Sequence, residues 1–310
     1  MDRLQAMQTF VRVVEAGSFS AVAREANSTQ SAVSKQVAAL ERALGARLLS
    51  RTTRALALTE EGQRYFDQAQ RLVAEIAEAE SVVRGAAGQL SGWLRVAAAV
   101  GFGRIVLLPT VRRFLDAHPG VKVDLQLNDG FIDLVEAGID VAVRVGELGD
   151  SSLLARRVGS TRRVLVASRD YVRRHAQGAQ APREPADLLG HNCIVYTGLA
   201  TGNEWRFSAG PGARLPVGTQ QSVRVAGNLQ TSSSEVVRAA VLDGHGIGYS
   251  PTWLFADELR RGLLVALMPD WQAPALPIHL VSPPARRGSA KVRAFGDLVA
   301  AGLQADAAAL

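Results

Sequence analysis

Thr29-Gln30-Ser31-Ala32-Val33-Ser34-Lys35-Gln36-Val37-Ala38-Ala39-Leu40-Glu41-Arg42-Ala43-Leu44 is the stretch that decides how the rest of this chain is read. Thr29 is a good helix N-cap, and Val33, Val37, Leu40 and Leu44 recur at helical spacing, so one stripe of the helix faces a core. The opposite face offers Gln30, Ser31, Ser34 and Lys35, with few of the charges that a merely solvated face carries. That set suits the DNA major groove: Gln pairs bidentately with adenine, Ser donates or accepts, and Lys reaches guanine or phosphate. Small residues such as Ala32 let the backbone come close. An ordinary amphipathic surface helix would show the same stripe, so the helix alone leaves both readings open.

The flanking segments favour the first reading. Ser18 can cap a short helix from Phe19 to Ala26, and Asn27 then sits where a sharp turn needs a residue tolerant of positive φ. Two helices joined by a tight turn, the second carrying a polar reading face, make a helix-turn-helix. An earlier helix with Leu4, Met7, Phe10, Val11 and Val14 on one side supplies the floor of its core. Beyond Gly45, Leu48-Leu49 and Leu56-Ala57-Leu58 flank Arg51-Thr52-Thr53-Arg54, a small β-wing with a basic tip. Beside a helix-turn-helix such a tip lies along the DNA backbone or enters a narrow minor groove; a solvated hairpin is the alternative.

Thr59 followed by Glu60 and Glu61 starts a helix with acids in its first turn, running to about Arg84. Tyr65, Ala69, Leu72, Ile76, Ala79 and Val83 form a heptad-like seam along it. A lone helix of this length needs a partner. Pairing with a second copy through Tyr65, Leu72, Ile76 and Val83 would set two reading heads side by side on DNA, and packing onto its own chain is the alternative. The segment 85–92, rich in Gly and Ala, reads as a hinge.

From Trp93 the pattern changes to short apolar strands alternating with helices, which argues for α/β units with largely parallel sheets. Strands are expected at 94–98, 121–127, 141–145, 163–167, 194–196, 247–250, 263–267 and 278–281. Helices are expected at 104–117, 132–137, 169–175, 232–243, 252–261 and 291–303. Ligands in such folds sit beyond strand ends or between lobes. The loops 99–103, 144–148, 197–204, 226–231 and 246–252, with the strand ends beside them, nominate Ala99, Val100, Phe102, Arg144, Tyr196, Asn228, Gly246 and Pro251. Arg144 is the best anion anchor, with pairing to Glu147 or Asp140 as the alternative.

Composition agrees with this division. The 310 residues suffice for two or three domains, and apolar (47%) and charged (21%) fractions are those of a globular protein. A net charge of +6 favours a polyanionic partner without requiring one. The single Cys193 excludes an internal disulfide framework, fits a reducing compartment, and beside Ile194 and Val195 reads as a buried strand residue. Asp2 and Arg3 precede an amphipathic helix rather than an apolar signal core, and Arg95 and Arg104 interrupt the most apolar run. A cytoplasmic protein with no membrane partner is expected. His118, His175, His191, His245 and His279 show no metal-ligand spacing, no acidic pair is singled out as catalytic, and the short Gly-x-Gly runs lack a dinucleotide context. Neither an enzyme nor a metal or cofactor site is expected.

Residues 2–64 closely resemble the N-terminal domain of LysR-type transcriptional regulators. The likeness rests on Phe10-Val11-x-Val13-Val14-Glu15-Ala16-Gly17-Ser18-Phe19, on Gln30-Ser31-Ala32-Val33-Ser34-Lys35-Gln36, and on Leu48-Leu49-Ser50-Arg51-Thr52-Thr53-Arg54 with Leu58-Thr59-Glu60-x-Gly62 behind it. The segment 131–148, Arg156-Arg157-Val158-Gly159 and Gly244-x-Gly246-Ile247-Gly248 resemble that family's effector domain. The resemblance implies an N-terminal winged helix-turn-helix at 1–59, a linker dimerisation helix at 60–84, a hinge at 85–92 and an α/β effector domain at 93–310. That domain would resemble type 2 periplasmic binding proteins, with lobe one at 93–162 and 268–310 and lobe two at 163–267.

It further implies a homodimer or homotetramer on double-stranded DNA bearing an interrupted palindrome, with RNA polymerase as a further partner. The effector would be a small molecule, an organic acid or aromatic metabolite, held between the lobes. Gln30, Ser31, Ala32, Ser34 and Lys35 would meet bases, and Arg51, Thr53 and Arg54 would act at the wing. Three positions depart from the family. Lys35 stands where many relatives have Arg, losing a bidentate fork. Ser28 stands where an apolar residue commonly precedes the cap. The run 97–102 holds no hydroxyl where relatives often place Ser or Thr to hold a carboxylate, which weakens the case for an acidic effector.

Overall fold

The computed structural model describes residues 2–52, 55–83 and 90–305. The chain divides into two compact units, 1–89 and 90–310.

In the first unit, α1 (Arg3–Ala16), α2 (Phe19–Glu25) and α3 (Gln30–Leu44) are followed by the hairpin β1 (Leu49–Thr52) and β2 (Ala55–Leu58) and by α4 (Glu60–Val83). The helix limits follow from local chemistry. Ser18 Oγ accepts from Ala21 N and Thr29 Oγ1 from Ala32 N, each at 3.2 Å, while Asn27 takes φ 48° in the turn between α2 and α3. Gly45 closes α3 with φ 69°. Phe10, Val13, Val22, Val33, Val37, Leu40 and Leu48 are buried together.

The start of α4 belongs to this core. Thr59 Oγ1 caps Gly62 N at 2.9 Å, and a Cβ at position 62 would overlap the Leu48 carbonyl. Only glycine permits that approach. Tyr65 and Phe66 lie 5.7 and 6.3 Å from the Phe10 ring, and Ala69 is buried. Tyr65, expected in the dimer seam, is therefore a contact within its own unit, because the helical winding brings 65, 66, 69 and 73 onto one side against it. Leu72, in contrast, is 49% exposed and Ile76 half-buried. The side chain of Val83 and residues 85–89 lie outside the described residues; of the hinge expected at 85–92, Ser91 and Gly92 are already strand, paired with Gly120 and Val121.

The second unit has two lobes. Lobe one holds β3 (Ser91–Ala98), α5 (Val100–Phe102), a π-helical turn (Gly103–Leu107), α6 (Leu108–Ala117), β4 (Gly120–Leu127), β5 (Val141–Val145) and β6 (Leu154–Thr161). The chain then crosses into lobe two with β7 (Arg163–Ser168), α7 (Arg169–His175), β8 (Cys193–Tyr196), β9 (Glu204–Ala209), β10 (Gln220–Arg224), β11 (Gln230–Thr231), α8 (Ser234–Leu242), β12 (Ile247–Pro251), α9 (Thr252–Arg260), β13 (Leu264–Ala266) and β14 (Trp271–Gln272). It returns through β15 (Leu276–Ser282) and ends in α10 (Ala290–Ala305).

The lobe-one sheet runs β4-β3-β5-β15-β6 and the lobe-two sheet β11-β8-β12-β7-β13, with a smaller sheet β10-β9-β14. Neither central sheet is largely parallel. In lobe one the parallel pairs are β3·β4 and β3·β5, and the antiparallel pairs β5·β15 and β15·β6. In lobe two they are β8·β11 and β8·β12 against β7·β12 and β7·β13. The strands adjoining a crossover supply the antiparallel half. Trp271 pairs with Ala209, so the chain stays with lobe two past 267 and rejoins the first sheet at Leu276.

The segment 132–137, expected as a helix, is a set of turns. Asp133 Oδ1 accepts from both Val135 N and Glu136 N, and Gly138 (φ 64°) ends the run. Strands β6, β9, β10, β11 and β14 were not expected.

Candidate functional site

Two surfaces answer the two halves of the reading. On α3, Gln30, Ser31 and Lys35 are exposed and Ala32 and Ser34 half-buried, opposite the buried Val33, Val37 and Leu40. The face is held from three sides. Thr29 fixes its first turn, the Gln36 amide meets the Thr9 hydroxyl of α1 at 2.8 Å, and Glu41 Oε1 accepts from Leu48 N at 2.8 Å and Leu49 N at 3.1 Å. The helix offering the polar face thus also anchors the first strand of the wing. Thr53, Arg54 and the side chain of Arg51 lie outside the described residues.

The second surface is a cavity of about 130 Å³ between the lobes. The lobes meet beside it: the Phe102 ring stands edge-on to Trp253 at 5.5 Å, and Arg104 Nη2 pairs with Glu235 Oε1 at 2.9 Å. Of the eight residues nominated by sequence, Ala99, Phe102, Arg144, Tyr196 and Pro251 line it. The other three do not. Val100 donates its N–H to Asp129 Oδ1 at 2.9 Å and serves as backbone. Asn228 exchanges hydrogen bonds with Asn192 in a separate polar hollow of lobe two, and Gly246 is packed against the Asn192 carbonyl, where a Cβ would clash.

Sequence reasoning missed the most telling members. Asp129 Oδ2, Ser234 Oγ and Trp253 Nε1 are buried at this cavity with no hydrogen-bond partner. Buried polar atoms are nearly always paired, so three orphans around one cavity mark it as a place for something else. The hydroxyl absent from 97–102 is supplied from lobe two, since Ser234 faces Gly101. Arg144 does not pair with Asp140, whose carboxylate is taken by Arg95 N at 2.8 Å and Arg286 Nε at 2.9 Å. It donates instead to the Ile132 carbonyl at 3.2 Å and lies 5.5 Å from the Phe131 ring, and burial holds its pKa below the usual value. Burial, reinforced by the Asp129 charge, pushes the Tyr196 hydroxyl up to about 12. The cavity therefore combines apolar walls with a cation, a carboxylate oxygen and neutral donors. It is a binding chamber with nothing arranged as a nucleophile and base.

Cys193 is fully buried in β8, and burial pushes its thiol up to about 12. Among the described residues no cluster of three or more His, Cys, Asp or Glu could hold a metal, and no helix is long and apolar enough to cross a membrane.

Comparison with known proteins supports both halves. Residues 4–63 match the bacterial regulatory helix-turn-helix protein, lysR family, and residues 87–304 match the LysR substrate binding domain. An HTH-type transcriptional repressor of Pseudomonas aeruginosa is 35% identical over 95% of this chain and 90% of its own length. The regulator CrgA of Neisseria meningitidis is 34% identical over 85% of this chain and 84% of its own. A solved structure of CrgA covers 96% of this chain and 98% of its own at 32% identity and a TM-score of 0.59. The full-length virulence activator AphB of Vibrio cholerae does so over 96% and 98% at 28% identity and 0.56. With a helix-turn-helix in its N-terminal unit and a two-lobed domain in its C-terminal unit, the chain belongs to the LysR family: it is a DNA-binding transcriptional regulator with an effector-binding domain, and not an enzyme.

Proposed function

We propose that this regulator reads an interrupted palindrome through Gln30, Ser31, Ala32, Ser34 and Lys35, with Arg51, Thr53 and Arg54 gripping DNA at the wing. The carrying observation is the exposed polar side of α3 on a helix fixed by Thr9, Glu41 and the Thr29 cap. Phosphate contacts by basic residues supply most of the salt-dependent affinity, and the α3 face supplies the choice of site. Leu72, Ile76 and Val83 of α4 pair with a second copy, and dimers assemble into a tetramer in the cytoplasm, where RNA polymerase is the further partner. The division into 1–59, 60–84, a hinge from 85 and an effector domain to 310 follows these roles, with that domain beginning at the strand residue Ser91 and not at 93.

The effector is a small organic acid or aromatic metabolite in the inter-lobe cavity, meeting Arg144, Tyr196, Phe102, Ala99 and Pro251. Asp129, Ser234 and Trp253 extend that set, because a ligand in the cavity can pair their buried, unpartnered atoms. A ligand that binds one lobe arrangement better than another shifts the population between them, and so the spacing of the reading heads. Footprinting of the protein at fixed salt on the DNA beside its own gene, with and without such compounds, tests this. A long protected region that shortens or shifts with one compound is the expected result. Absence of a specific footprint would contradict the assignment of the α3 face.

A further inference from the structure

A second buried charge stands apart from the inter-lobe cavity. Arg163 opens β7 and is 8% exposed. Its Nε has no hydrogen-bond partner, and no described carboxylate pairs with its guanidinium. The group lies 4.2 Å from the centroid of the Tyr249 ring. Burial holds the Arg163 pKa below its usual value; the Tyr249 phenol pulls it up in part, and the nearby cation Arg206 pushes it down further. Arg206 has its own partner, Glu204 Oε1 at 3.0 Å. A desolvated cation over an aromatic face gains about 2 kcal/mol, against the several kcal/mol that burying an unpaired ion typically costs. Among the described residues, Arg163 has no counter-ion.

Beside it is a cavity of about 170 Å³ inside lobe two, walled by Leu165, Phe207, Tyr249, Met268 and Trp271. Met268 holds φ 50°, an unusual backbone for a non-glycine residue, at the edge of this space. An apolar cavity of about 150 Å³ can take up benzene. The walls disfavour a hydrated inorganic ion and suit an apolar body.

We infer that this cavity is a second ligand site, for a small organic monocarboxylate whose carboxylate pairs with Arg163 and whose apolar part lies against Phe207, Met268 and Trp271. The site is separate from the inter-lobe cavity but touches it. Tyr249 lines both, and Arg163 is the cross-strand partner of Pro251, which lines the other. A ligand here would bear on the effector chamber through that shared wall.

Sodium benzoate, benzene with one carboxylate, is the probe. The full-length protein is titrated calorimetrically and melted with and without benzoate, against sodium chloride at equal ionic strength. Wild type should bind benzoate and melt higher with it than with chloride. Arg163→Met should weaken this binding at least about tenfold. Ala273→Phe, at the half-buried edge of the same cavity and packed against its wall residues, leaves Arg163 in place and should do the same. Arg144→Met, in the inter-lobe cavity, should leave the Arg163-dependent event intact, so failure of the effector assignment is distinguishable from failure of this one. No benzoate binding by wild type, a chloride response equal to that of benzoate, or wild-type affinity in both Arg163→Met and Ala273→Phe would overturn the inference.

Discussion

The polar face of α3, proposed to read DNA, and the inter-lobe cavity both display polar groups without a protein partner, but in opposite settings. Gln30, Ser31 and Lys35 stand in water, where an unengaged donor or acceptor costs almost nothing. Asp129 Oδ2, Ser234 Oγ and Trp253 Nε1 are buried, where each unmade hydrogen bond costs about 1–3 kcal/mol. A surface that reads DNA can thus be assembled without burdening the fold, and its energetics appear only on binding. A chamber that holds a small molecule carries its unmet bonds in the free protein and releases them when filled. Substitutions should therefore act oppositely in the two places: loss of binding with unchanged stability on α3, loss of ligand response with equal or greater stability in the chamber.

The largest effect is expected from removing what holds the reading face. Phe10 is fully buried against Tyr65 and Phe66, so Phe10→Ala should lower stability of the first unit by about 3–5 kcal/mol, read by denaturant unfolding, and abolish DNA binding at higher temperature. Unimpaired DNA binding in a stably folded Phe10→Ala protein would break the idea that the α3 face depends on this core. In the chamber, Ser234→Ala should leave the ligand-free melting temperature equal or higher while reducing effector-induced stabilisation by about 1–2 kcal/mol. A lower melting temperature without ligand would show that the hydroxyl has a structural partner, and the comparison would fail there.

How much of this was legible beforehand follows the same line. The first unit is written in local rules: Ser18 and Thr29 as caps, Asn27 at positive φ and Gly45 at the helix end are each decided by neighbours within a few residues. The α3 face was legible because exposed side chains keep their own chemistry. In the second unit the apolar strands were readable, Val141–Val145 to the residue. Strand β6, with Arg156 and Arg157 exposed, and the β9–β10 hairpin, half covered, lack the apolar run that identifies a buried strand. Asp129 and Ser234 were invisible because their significance is a missing partner, and that depends on residues brought together only by the fold. Asn228 and Gly246 were misplaced for the converse reason: a loop at a strand end can face a neighbouring strand instead of the cleft.

The smallest effects sharpen the treatment of burial. Tyr249 keeps its proton up to about 12 in the folded protein, against 10.0 for an ordinary tyrosine. A raised folded value gives stability fully present below pH 10.0 and lost as pH rises toward about 12, where the unfolded chain ionises first. Tyr249→Phe should flatten the alkaline fall in melting temperature across that window; an unchanged slope would show that this phenol is not the group responsible. The Cys193 thiol, also pushed up to about 12, should resist alkylation at neutral pH in native protein and react on unfolding.

Whether the polar face of α3 chooses the DNA site without bearing on the fold is decided by one ratio. Affinity for a footprinted operator is divided by affinity for random duplex at the same salt, for wild type and Gln30→Ala. The ratio should fall by about tenfold, a loss within the 1–3 kcal/mol of one good base contact, with random-duplex affinity and melting temperature unchanged. An unchanged ratio in a fully folded variant, or an equal loss on both DNAs, would contradict it.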